Sequence, residues 1–107
     1  MLWTIHCLDG DDVTAQRAAL GPEHSAHLRT ARPTALVYGP LLDDAGEQGV
    51  GSLFLIDVPD RAAAERWIEA DPFHRGGVWT QVRVHAFRQS PNAPVQLPLT
   101  AAEPAAS

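Results

Sequence analysis

The sequence predicts a ferredoxin-like α+β domain, a four-stranded antiparallel sheet with two helices on one face, and three observations lead there. Four short runs carry apolar or alternating residues, two intervening segments have helical spacing, and Asp, Gly and Pro clusters separate them. The resulting order, β-α-β-β-α-β, is that of a split βαβ fold. A chain of 107 residues with 45% hydrophobic and 20% charged residues suits one such domain.

Leu2 to Leu8 is bulky and short, closed by Asp9-Gly10-Asp11-Asp12, and reads as the first strand. From Val13 to about Ala31, Leu20, His24, His27, Leu28 and Ala31 recur at helical spacing, which predicts an amphipathic helix N-capped by Asp11 or Asp12. Gly21-Pro22 should kink or restart it, because proline lacks the donor and crowds the preceding turn. Ala35-Leu36-Val37-Tyr38 reads as a short strand ended by Gly39-Pro40, and the polar stretch 43–49 as a loop. Gly51 to Val58 contains the apolar run Leu53-Phe54-Leu55-Ile56, which marks a central strand. Pro59-Asp60 opens a second helix with Ala63, Ala64, Trp67 and Ile68 on one stripe. After the tight connection 71–77, Val78 to Phe87 alternates as a fourth strand. Residues 1–88 form the domain and 89–107 a Pro- and Ala-rich tail, expected to be extended or disordered.

The formal charge of −5 arises from 13 acidic residues and eight basic ones, all arginine. No basic block exists to neutralise a phosphate backbone, so nucleic acid is not an expected partner. No apolar run approaches a membrane span, and the N-terminus lacks the pattern of a signal peptide, so a soluble cytoplasmic protein is expected. Cys7 is the single cysteine, which excludes an internal disulfide or a CxxC pair and reads as a buried inert thiol. Helices on one side leave the other sheet face open, with Leu2, Leu8 and later valines and leucines on it. A homodimer packed through that face is expected.

Two residues stand out for chemistry. His24 lies on the apolar stripe of the first helix, four residues from both Leu20 and Leu28, so its ring should face the sheet. It is either a partly buried histidine with one satisfied hydrogen bond or a general base. Asp71 precedes Pro72, so it either caps a short turn through Pro72-Phe73-His74 or orients an imidazole, and both roles can coexist. His24 and His27 stand three apart, but no HExxH or clustered carboxylates accompany them, so no metal site is expected. Without lysine there is no P-loop, and Gly49-Val50-Gly51-Ser52 lacks the context of a dinucleotide loop, so no cofactor is expected either.

Several short motifs stand in a telling order: the strand ending in Asp9, Pro22-Glu23-His24 with His27-Leu28, Gly39-Pro40, Gly51-Ser52, Asp71-Pro72-Phe73 and Gly77-Val78. Together they resemble the YciI-like (YCII-related) family over roughly residues 1 to 88. The resemblance implies the dimeric α/β-barrel form of the fold, similar to muconolactone isomerases and small monooxygenases. It also implies a catalytic centre of histidine and aspartate, which falls on His24 and Asp71. The activity it implies is acid–base chemistry, elimination or isomerisation, on a small cyclic or aromatic substrate. Ser52, Tyr38 and His6 are then expected to line the substrate cleft. The alternative is a non-catalytic ligand-binding or accessory dimerisation module. The two differ in whether His24 is needed for turnover.

Overall fold

The computed structural model describes residues 1–31 and 34–98. The chain runs β1 (Leu2–Asp9), α1 (Thr14–Thr30), β2 (Ala35–Leu42), β3 (Gly49–Asp57), α2 (Arg61–Glu69), α3 (Pro72–Arg75) and β4 (Trp79–Phe87). All three strand pairings are antiparallel, in the order β2-β3-β1-β4. This is the predicted ferredoxin-like sheet, with a third, one-turn helix in the connection after α2. The apolar run of β3 lies at the centre of the sheet, between β2 and β1.

Strand alternation sends Trp3, Ile5 and Cys7 of β1 toward the helices, opposite Ile56, Phe54 and Ser52 of β3. With Ile68 and Ala64 of α2, Phe73 of α3, and Val78 and Trp79, they form one core. Asp60 receives the Ala63 N–H at 2.8 Å and so fixes the start of α2, as the Pro59-Asp60 pair predicted. The opposite face of the sheet is uncovered in the single chain. Val37 and Leu53 are 46% and 40% exposed there. Leu2, predicted to contribute to that open surface, is buried.

Three local expectations are corrected. Helix α1 runs unbroken from Thr14 to Thr30 with Pro22 inside it, so there is no restart before His24. Its N-cap is Val13 with no side-chain hydrogen bond; Asp12 instead takes the left-handed turn at φ 55°, a conformation that aspartate tolerates. Strand β2 does not stop at Gly39-Pro40 but continues to Leu42. It is an edge strand, paired on one side only, where a proline is tolerated. The tail, expected to be extended or disordered, has no helix or strand from 89 to 98 but is tied to itself. Gln89 donates to the Leu97 carbonyl at 2.8 Å and accepts its N–H at 2.7 Å. The rest of the predicted tail, 99–107, lies outside the described residues.

Candidate active site

Helix α1 buries only Leu28 and packs chiefly against α3, so it stands away from the β2–β3 side of the sheet. The gap is a cleft of about 690 Å³. His24 and Arg17 line it from α1, Phe73 from α3, and Tyr38, Ser52 and Phe54 from the sheet.

His24 and Asp71, 47 positions apart, meet through Nδ1 and Oδ1 at 2.7 Å. The carboxylate is completely buried, and the same Oδ1 accepts the Phe73 N–H at 2.9 Å. Capping α3 and holding the imidazole are therefore done by one oxygen. Its partner Oδ2 is buried without a hydrogen bond. The imidazole is stacked on Phe73, with ring centroids 3.9 Å apart and planes 10° from parallel, and is met edge-on by Phe54 and Trp79. Pinned at Nδ1 and flanked by rings, it has little rotational freedom. Because a carboxylate only accepts, Nδ1 carries the hydrogen of this contact, which leaves Nε2 as the acceptor of the neutral ring.

Ser52 and Tyr38 both line this cleft, across a β2–β3 pairing that sets Pro40 opposite Ser52 and Tyr38 opposite Phe54. His6 does not. It lies between Ile5 and Cys7, whose side chains enter the core, so alternation puts it on the uncovered face between Leu53 and Arg83. The expectation that His6 borders the cleft is corrected accordingly. His27 turns away toward Trp67, with ring centroids 6.3 Å apart. Among the described residues no three His, Cys, Asp or Glu side chains gather as a metal-binding group.

Sequence reasoning missed Arg17 and Asp9. Arg17 donates from Nη1 to both Asp9 oxygens, at 2.9 and 2.8 Å, and its guanidinium lies 5.1 Å from the Phe73 centroid. The signal was available in the spacing: Arg17 and His24 are seven residues apart and share a helix face. Their common contact is the Phe73 ring, which the Arg17–Asp9 pair steadies against the imidazole. Cys7 is fully buried in β1, and its thiol pKa is pushed from 9.0 up to about 12, first by burial and then by the negative charges of Asp71 and Asp9.

A family model described as the YCII-related domain matches residues 1–88, the whole sheet with its helices and the cleft between them. The chain belongs to the YCII-related family. It is 30% identical over 96 residues to Protein YciI of Escherichia coli O6:H1, and equally to that of Shigella flexneri. In each case the similarity covers 83% of this chain and 98% of the relative. Among solved structures it resembles the 5-chloro-2-hydroxyhydroquinone dehydrochlorinase TftG of Burkholderia phenoliruptrix AC1100, captured with 2,5-dihydroxybenzoquinone. That match has a TM-score of 0.79 at 21% identity, over 84% of this chain and 96% of that one. Its fold is the one described above. No helix among the described residues is long and apolar enough to cross a membrane.

Proposed function

We propose that this YCII-family chain is a small-molecule enzyme in which His24 and Asp71 form an acid–base dyad. The observation that carries the reading is the 2.7 Å contact between His24 Nδ1 and a fully buried carboxylate, beside a cleft lined by Phe54, Phe73 and Tyr38. Asp71 holds the ring and stabilises the imidazolium that forms when Nε2 takes a proton from the substrate. The same Nε2–H then returns the proton to a leaving group or to a neighbouring ring carbon, giving elimination or isomerisation. Ser52 and Tyr38 offer hydroxyls to substrate oxygens. The aromatic walls suit a flat cyclic compound, and TftG, of the same fold, is a dehydrochlorinase captured with a six-membered ring ligand.

The second assignment is assembly. The exposed Val37 and Leu53 on the uncovered face support a homodimer packed sheet to sheet.

The test of the dyad is turnover of chlorinated and hydroxylated aromatic compounds, followed by absorbance. His24→Ala is expected to lose activity by about 100-fold or more, a typical general acid–base contribution. Asp71→Asn should fall comparably, while circular dichroism shows both variants folded, because an asparagine oxygen still accepts the Phe73 N–H. Full activity in His24→Ala overturns the dyad. Ring compounds that bind without ever being turned over point to a ligand-binding module.

A further inference from the structure

The cleft is electrostatically unlike the chain that builds it. The protein carries 13 acidic residues and a net charge of −5, yet among the described residues no Asp or Glu lines the cleft, whereas two arginines, Arg17 and Arg29, do. Asp71 stands behind the His24 ring and does not reach the lining. The two arginines differ in what they already hold. Arg17 is committed to both oxygens of Asp9, to the Gly51 carbonyl at 3.4 Å and to the Phe73 ring. Arg29, exposed in the last turn of α1, makes no hydrogen bond or ion pair among the described residues. Its guanidinium is the uncommitted charge among the described residues of the cleft, and a guanidinium fork is the side chain best matched to a planar anion.

We infer that the cleft selects an anionic ring compound, with Arg29 holding the anionic group at the mouth while the ring lies along the Phe54–Phe73 wall toward His24. This deepens the dyad reading by naming the substrate class, and it rests on that reading only for what happens at the His24 end. His24 and Arg29 are five positions apart, offset by about 7.5 Å along α1 and by about 140° around it, so they border the cleft from two sides of the helix. The chemistry is coherent as well. An oxyanion or carboxylate at one end neutralises Arg29, and the ring position offered to Nε2 lies at the other. The anionic group is a carboxylate or an ionised ring hydroxyl, two forms of one chemistry that Arg29 recognises alike.

Binding to the full chain separates these possibilities, read by two-dimensional NMR titration with benzoate, its neutral amide benzamide, and 4-nitrophenolate. Wild type should bind at least one of the two anions about tenfold or more tightly than benzamide, and that preference should weaken as salt is raised. Which anion is preferred decides between carboxylate and ring oxyanion. Arg29→Gln should abolish the preference and its salt dependence, with benzamide unaffected, and Arg29→Lys should restore it in part. Equal binding of anions and amide, a preference that survives in Arg29→Gln, or no binding of any probe overturns the inference. The two readings fail separately. Loss of the anion preference in Arg29→Gln together with full turnover in His24→Ala would keep the anion site and remove the dyad, and the reverse pattern would do the opposite.

Discussion

At the scale of single residues, Asp71 and Cys7 show how closely scaffold and site are joined. One carboxylate oxygen ends α2's connection, starts α3 and fixes the imidazole. Its charge also acts on the Cys7 thiol, whose proton is held well above its ordinary range. An acidic group whose folded pKa is raised stabilises the fold in its protonated form. That stability is complete below the unfolded value of 9.0 and is lost as pH rises toward about 12. Denaturant unfolding of wild type should therefore lose on the order of 1 to 2 kcal/mol from this group by pH 10.5. In Cys7→Ala the decline between pH 8 and 10.5 should be shallower by that amount, although the variant starts less stable from the lost burial. Equal slopes in the two proteins would show that the thiol does not contribute.

At the scale of elements, α1 and β2 both carry prolines that the sequence rules treat as stops, and both run through them. Pro22 sits where the helix cannot bond back to the Ala18 carbonyl, so α1 continues at a cost that its packing on α3 and Leu28 offsets. Pro22→Ala is expected to restore that bond and raise stability by roughly 1 to 3 kcal/mol, seen as a higher Tm in thermal unfolding. An unchanged or lower Tm would mean that α1 is shaped to its proline. These two segments also mark what local rules cannot reach. The β3 run and the Asp60 cap were legible because their signals are local: a continuous apolar run of strand length, and a carboxylate one residue before the helix. Whether a proline ends β2 depends on whether a neighbour needs its N–H, which only the strand order decides. The site divides the same way. His24 and Asp71 emerged from short motifs in a recognisable order, and Ser52 and Tyr38 followed from their strands. Arg17 and Asp9 look like ordinary surface charges until the fold brings them to the Phe73 ring, and His6 was misplaced because the facing of β1 follows from its register.

At the scale of the whole molecule, the sheet has one face packed and one bare. Val37 and Leu53 lie on adjacent strands β2 and β3, and His6 and Arg83 continue the same surface across β1 and β4. In the proposed homodimer this face is buried against its copy, which would place His6 in the interface. Leu53→Arg puts a charge at its centre without touching the helix-side core. The variant is expected to elute as a folded monomer, at half the mass of wild type by light scattering. A monomeric wild type would end the proposal, as would an unchanged dimer in the variant.

The double use of Asp71 has a consequence for reading other sequences of this kind. A descendant that abandons chemistry still needs an acceptor for the Phe73 N–H, so selection on the fold alone retains an aspartate or asparagine there. Nothing comparable anchors the histidine, whose ring is stacked and pinned but caps no helix. In a survey of such chains, the aspartate would therefore report architecture, whereas the histidine would be the informative marker of whether the proposed dyad chemistry is in use.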